Sequence, residues 1–287
     1  MDGIIVINKE KDYTSHDVVA KLKKKLNISK VGHTGTLDPN ATGVLPILIG
    51  KGTKFSKYLI NHDKTYKAKI ELGKKTDTAD VEGNVIEEKP VDTEYIKQNL
   101  VQVLESFVGK QEQVPPMYSA IKKNGKKLYE YARKGEKVEV EPRKIEIYKI
   151  ELVKYNEKNI EFIVSCSKGT YIRSLCEDIA EKLNTVGYMK NLERLQVGEF
   201  NIEKSVLIDD VNTENIEKYL YTLEDILKDI LKDTPNLNLN PKKLNLFLNG
   251  VQLTVKEAEG LYKIYVNNKF IGTGTVKKNL LKRDIII

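Results

Sequence analysis

Gly32-His33-Thr34-Gly35-Thr36-Leu37-Asp38-Pro39-Asn40-Ala41-Thr42-Gly43-Val44-Leu45-Pro46 is the stretch around which the chain is arranged. Its three glycines and two prolines argue against a regular helix and against a central strand. It reads as an ordered loop running into the apolar segment Val44 to Ile49. One acid stands in its middle. Asp38 precedes a proline, which keeps it out of the α conformation and holds it extended or in a turn. Pro39 has no N–H with which to occupy the carboxylate. A carboxylate fixed on a glycine-rich loop before a buried strand suits a reaction centre. An isolated Leu-Asp-Pro would more simply be an Asx turn, so the rest of the chain has to decide.

Upstream, Gly3 to Asn8 is a β-branched run and reads as a buried strand. Val18, Val19, Leu22 and Leu26 then fall at helical spacing, with Ser15 as N-cap. The polar face of that helix, Lys21 and Lys23 to Lys25, reads as solvated. Downstream, Gly52 to Ile60 looks like a short helix, and Tyr66 to Leu72 alternates as a strand. Gly73 to Gly83 is a polar loop whose acids match no calcium-loop spacing. Asp92 to Val108 reads as a helix capped by Thr93, and Gln113 to Ser119 breaks it. The basic stretch from Lys122 to Arg133 interleaves lysines with Tyr129 and Tyr131, the pattern of a nucleic-acid contact. An ordinary amphipathic helix with Leu128, Tyr131 and Ala132 inward would look the same. Arg143 to Lys154 and Asn159 to Ser165 read as a strand pair, and Cys166 to Arg173 ends the second strand. Ser174 to Leu183 and Thr222 to Leu231 read as helices. Short β-like runs from Asn236 to Ile287 fit a small β barrel. The fold class is α+β, a mixed sheet with helices on it plus a small β domain.

The 287 residues are enough for one large domain and one small one, and 40% are hydrophobic. The net charge of +7 permits a polyanionic partner. Its distribution says more. Residues 1–60 carry 10 lysines against 5 acids, and residues 121–150 carry 10 Lys/Arg against 5. Residues 201–234 carry 4 lysines against 9 acids, and residues 235–287 carry 9 Lys/Arg against 3. An acidic connector thus separates a basic tail from a basic body. Cys166 and Cys176, with no clustered His, make neither a zinc site nor a disulfide scaffold. The first residues lack the basic start of a signal peptide, and no apolar run reaches transmembrane length. A cytoplasmic protein is expected, with no membrane partner.

Lys30 to Pro46, reading Lys-Val-Gly-His-Thr-Gly-Thr-Leu-Asp-Pro-Asn-Ala-Thr-Gly-Val-Leu-Pro, resembles the catalytic motif of the TruB family of tRNA pseudouridine synthases. Other segments agree in order. They are Gly3 to Asn8 with Thr14-Ser15-His16, and Lys64 to Ala68 with Leu72-Gly73 and Thr76-Asp-Thr-Ala-Asp80. Gln113 to Lys122 with Gly125 and Leu128 to Arg133, and Ser167 to Arg173, complete the set. The resemblance covers about residues 3 to 200. It implies a pseudouridine synthase fold, a mixed and largely antiparallel sheet with flanking helices, in residues 1–234. An RNA-gripping insertion is implied at about 111–145, and a small β domain resembling PUA at 235–287. Two departures stand out. Lys9-Glu10-Lys11-Asp12 replaces the usual Lys-Pro-x-Gly, which should loosen a turn. Leu192-Glu193-Arg194 replaces Leu-Arg-Arg, which removes one positive charge near the site.

The implied reaction turns uridine into its C-glycoside isomer. It takes no electron or group from outside, so no cofactor and no metal are expected, and the sequence has neither a Walker loop nor a dinucleotide fingerprint. The resemblance makes Asp38 the carboxylate at the sugar–base bond, attacking C1′ or C6 or removing the 2′ proton. Arg173 is its expected partner, a permanent cation able to fork onto both oxygens. Tyr66 would stack on the flipped base and help remove the C5 proton. Tyr171, extended two residues before Arg173, and Leu192 would pack the pocket. His33 would fill or stabilise the space that the base leaves. Lys122 and Lys126 would hold RNA.

The implied partner is the T stem-loop of tRNA, at uridine 55, read by shape, with no guide RNA and with the protein a monomer. A non-catalytic tRNA chaperone would use the same basic surfaces, but the intact Asp38, Tyr66 and Arg173 argue against it. A guide-RNA-dependent subunit of the dyskerin type would read His-Ser-Gly where this chain has His33-Thr34-Gly35. An aspartate glycosidase would need a second matched carboxylate.

Overall fold

The computed structural model describes residues 1–136, 138–223, 225–226 and 231–287. Strand β1 (Gly3–Lys9) leads to helix α1 (Ser15–Leu26), and β2 (Val31–His33) and β3 (Thr42–Ile49) flank the Asp38 loop. A 3-10 turn and α2 (Ser56–Leu59) precede β4 (Lys64–Leu72), the hairpin β5 (Lys74–Thr76) and β6 (Val85–Glu88), then α3 (Thr93–Glu105). Next come β7 (Gly109–Gln113), the small hairpin β8 (Lys122–Lys123) and β9 (Lys126–Lys127), and α4 (Leu128–Ala132). The long pair β10 (Arg143–Asn156) and β11 (Asn159–Cys166), α5 (Ile172–Lys182), β12 (Gly187–Val197), β13 (Phe200–Asn201) and β14 (Leu220–Thr222) finish the large sheet. The tail holds β15 (Asn236–Asn238), α6 (Leu244–Leu248), β16 (Leu253–Thr254), β17 (Gly260–Val266), β18 (Lys269–Lys277) and β19 (Leu280–Ile286). Of the helix expected over Thr222 to Leu231, positions 224 and 227–230 lie outside the described residues, and Thr222 itself ends β14.

The large sheet runs β14-β1-β3-β12-β4-β11-β10-β7, with β2 on β3 and β13 on β12. It is mixed and largely antiparallel, as expected. Among the described residues its one parallel pairing between two strands is β3 with β12, limited to Thr42 and Gly43 opposite Glu193 and Arg194, beside isolated parallel bridges such as Ile7 with Val206. The tail forms a five-stranded sheet of its own. The alternation of β4 puts Tyr66, Ala68, Ile70 and Leu72 into one core with Ile160, Phe162 and Val164 of β11, under α1, α3 and α5. A second core lies on the other face. There Val6, Val44, Leu48, Phe55 and Leu59 meet Ile285 of β19, so the small sheet is packed onto the large one.

Four local expectations are corrected. Thr14, not Ser15, caps α1: its hydroxyl accepts from the Asp17 N–H, and the Asp17 carboxylate accepts from the Thr14 N–H, a capping box. Asp92, not Thr93, caps α3 by accepting from the Tyr95 N–H at 3.0 Å. Arg173 is not at a strand end but in the first turn of α5, after the extended Tyr171.

The fourth concerns Pro46. The stretch opening at Gly32 is not a loop throughout, because Thr42 to Pro46 belong to the central strand β3. Pro46 is tolerated because β12 pairs only at Thr42 and Gly43, and β2 only from Ile47 to Ile49. A strand residue points its C=O and N–H to the same side. The Pro46 carbonyl accepts from Thr34 N–H in that gap, so the missing donor falls where no ladder needs it.

Candidate active site

The segment from Gly35 to Pro39 is tied down at several points. Ser15, freed from capping, accepts from the Leu37 N–H at 2.9 Å. The Ala41 N–H donates to the Asp38 carbonyl at 3.0 Å. Lys9 is fully buried and donates to the carbonyls of Pro39 at 3.0 Å and Tyr13 at 2.6 Å, and burial pushes its ammonium down to about 8. The turn that the Lys9-to-Asp12 departure should loosen is in fact closed. Asp12 adopts the left-handed conformation at φ 67, and its N–H donates to Pro39 O at 3.0 Å. Asp is among the few non-glycine residues that tolerate that region.

The Arg173 guanidinium stands beside Asp38, its Nε 3.3 Å from Oδ2. The expected fork onto both oxygens is not formed. Nη1 points instead toward Asp80, at 3.6 Å from Oδ2, and Nη2 donates to the Tyr118 carbonyl at 2.8 Å. Asp80 is itself held by the Thr78 hydroxyl at 2.7 Å and the Glu82 N–H at 3.0 Å. Arg173 is thus clamped by one fixed acid and presented to another. Burial among protein groups raises the Asp38 carboxyl, the Arg173 cation opposes this, and the Asp80 charge adds to it. The Asp38 side chain keeps 39% of its surface, and Arg173 8%. Asp38 is therefore open, but only into a concave space.

That space is a pocket of about 410 Å³ whose walls include Asp38, Tyr66, Tyr118, Tyr171, Arg173 and Leu192. The volume is in the range of about 300–1,000 Å³ usual for small-molecule sites. A larger depression, about 640 Å³, runs past Lys110, Lys144 and Lys168, but none of the candidate site residues lines it. Tyr66 is buried as its place on β4 requires, opposite Arg194 in register, with Leu192 opposite Ala68. The Gln113 side-chain amide brackets Tyr171, accepting from its N–H at 2.8 Å and donating to its C=O at 3.0 Å.

The other expected residues lie apart. His33, on β2, is not among the residues that line the pocket. It meets His16 edge-on, with centroids 5.2 Å apart, and its Nδ1 is buried without a partner. Burial first, then the neighbouring His16 and Arg194, hold its pKa below the usual value. Lys122 and Lys126 stand exposed on the β8–β9 hairpin, outside the pocket wall but on the same stretch of chain as Tyr118 and Tyr129, which line it. Asn124 and Gly125, with φ 51 and 80, make the tight turn between them. The charge lost at Glu193 falls in a separate groove, beside Lys11, Asn40, Lys67 and Lys69.

Reading the sequence missed Asp80, Gln113, Lys9 and Arg194. Asp80 stood in a quoted motif, yet one acid among three in a polar loop carries no sign of a partner far along the chain. Among the described residues no group of three or more potential metal ligands comes together, and no helix is long and apolar enough to cross a membrane.

Residues 23–172 match the model of the TruB family pseudouridylate synthase N-terminal domain, and residues 173–235 that of the tRNA pseudouridylate synthase B C-terminal domain. The tRNA pseudouridine synthase B of Clostridium kluyveri is 45% identical over 96% of both chains. That of Aquifex aeolicus is 43% identical over 98% of both. Among solved structures, a chain from the crystal structure of a Cbf5-Nop10-Gar1 complex shares the fold, with a TM-score of 0.69. It is 24% identical, and the match covers 99% of this chain and 84% of that one.

Proposed function

The chain belongs to the TruB family of pseudouridylate synthases, and we propose that it converts uridine to pseudouridine at position 55 in the T loop of tRNA. The observation that carries the reading is the Asp38–Arg173–Asp80 chain at the wall of a pocket completed by Tyr66, Tyr171 and Leu192. A uridine inside a folded loop cannot reach Asp38 without leaving its stack. The pocket offers the flipped base aromatic walls, and stacking of this kind is worth about 1–3 kcal/mol per base.

The chemistry needs an ionised carboxylate at the sugar–base bond. Burial works against ionisation, and the Arg173 cation works for it. Asp38 then acts on C1′, on C6 or on the 2′ proton, and the N1–C1′ bond breaks. The uracil turns, C5 bonds to C1′, the C5 proton leaves and N1 holds a proton, so product and substrate have the same composition. Tyr66 is the group we assign to the C5 proton. Its ring is on the pocket wall, and of the tyrosines that line the pocket, Tyr118, Tyr129 and Tyr171 being the others, it is the buried one.

Residues 111–145 act as the insertion that grips RNA, with Lys122 and Lys126 toward phosphates, and residues 235–287 as a PUA-like contact domain. The protein works in the cytoplasm as a monomer on bare tRNA, without a guide RNA. The test is to incubate pure protein with an unmodified tRNA transcript and map pseudouridine by position. One pseudouridine, at position 55, is expected. Binding without any pseudouridine, or product only after a guide RNA is added, would overturn the reading.

A further inference from the structure

Among the described residues Arg194 is the largest side chain shut off from solvent, at 1% exposure. Burying a cation is costly unless charged partners offset it. Its partners are not carboxylates. Nε donates to Val44 O at 2.7 Å, Nη2 to Gly35 O at 3.2 Å and Nη1 to Thr36 O at 3.5 Å. Tyr66 stands opposite it in register on β4, and the phenol is the group whose charge Arg194 acts on. Lys9 already holds the far end of the same loop, at the Pro39 carbonyl. Neutral donors would suffice to bond three carbonyls, so a clamp alone does not account for a buried charge here.

A guanidinium has donors and no acceptor. Between these two residues only the Tyr66 oxygen can accept, so a bond from Arg194 leaves the phenol proton directed away from that cation. A charge-assisted hydrogen bond received by a phenol oxygen favours its tyrosinate form, against the burial that disfavours it. We propose that Arg194 is a positioning residue for the reaction: it fixes the Asp38 loop from β12 and holds the Tyr66 oxygen ready to accept the C5 proton. Burial drives the Tyr66 phenol upward, and Arg194 is the main influence against it. In the step itself the tyrosinate takes the C5 proton, the C–H electron pair returns to the uracil ring, and Arg194 gains and loses nothing. One cation thereby couples the group that opens the glycosidic bond to the group that completes the product. This rests on Tyr66 as the base.

The test is a single-turnover comparison on tRNA of Arg194→Gln and Arg194→Lys, each with Tyr66 or with Tyr66→Phe, from pH 6 to 10. Tyr66→Phe should cost about 10²–10⁴-fold. Arg194→Gln should cost roughly 10–100-fold with Tyr66 present and regain part of it as pH rises, but less than about threefold in the Phe background. A more acidic 3-fluorotyrosine at position 66 should rescue part of the loss. Arg194→Lys keeps the charge without the fork; it should lose less, and it serves if the Gln variant does not fold. A cost equal in both backgrounds and flat with pH would make Arg194 a scaffold only and overturn the proposal. A Tyr66→Phe rate within a few-fold of wild type would instead remove Tyr66 as the base, and this inference with it.

Discussion

Arg173 serves two carboxylates at once, and the division of labour is visible in its distances. Asp80 is fixed by its own loop and holds Nη1, while Asp38 has only Nε beside it and faces the pocket. The sign of the pH effect follows. Burial raises the Asp38 pKa and Arg173 lowers it. In Arg173→Ala the carboxyl titrates higher still, so less of it is ionised at any moderately acidic pH. Single-turnover rates should show the acid limb of the profile displaced to higher pH, with the deficit at pH 6 clearly larger than at pH 9. A deficit of the same size at both would mean that Arg173 does not act through Asp38 ionisation. Tyr66 and Leu192 reached the pocket as read, because strand alternation and a short motif carry that information. Asp80 and Arg194 did not show themselves, because their partners are set by tertiary contacts that local pattern does not encode.

At the scale of elements, the crossing of β3 and β12 is a tight point near the site. Gly43 has φ +101, and a Cβ there would meet the Arg194 carbonyl at 2.3 Å. Gly43→Ala must therefore strain the backbone and push β12 away together with Leu192 and Arg194. The left-handed conformation alone costs an L-residue about 1–2 kcal/mol. Denaturant unfolding should show a loss of roughly 2 kcal/mol or more, with turnover reduced beyond what the unfolded fraction explains. A variant as stable and active as wild type would contradict the packing described. The same crossing explains one misreading. Glycines and prolines argued against a central strand in the stretch that ends at Pro46, yet a gap in the ladder lets a proline sit in one. Arg173 was misplaced for a related reason. Thr170-Tyr171-Ile172 looks like the end of a strand, but the Gln113 amide bonds the Tyr171 backbone in place of a ladder, and α5 starts at once.

For the whole molecule, the basic tail is more firmly joined than its charge alone implied. Lys57 pairs with Asp284, Tyr58 bonds Asp284 at 2.7 Å and Thr273 at 2.9 Å, and Ile285 enters the second core with Leu261, Phe270 and Ile287 packed nearby. Removing residues 235–287 uncovers Phe55 and Leu59 as well as lowering the positive charge. Four apolar side chains at about 1 kcal/mol or more each should take the melting temperature down by roughly 10 °C, and tRNA affinity should fall too. Below that temperature, and at saturating enzyme, the single-turnover rate should stay near wild type; its collapse in a folded truncation would put the tail in the active site. The division into a large mixed sheet and a small β domain was legible from the turn-rich tail and the acidic connector, whereas their shared core was not. Everything in the assignment converges on one carboxylate. The direct measurement is pseudouridine formation on unmodified tRNA by purified Asp38→Asn, free of host enzyme, beside its tRNA affinity. The account predicts wild-type binding within a few-fold and no detectable product at times when wild type has finished. Product formed by that variant would contradict it.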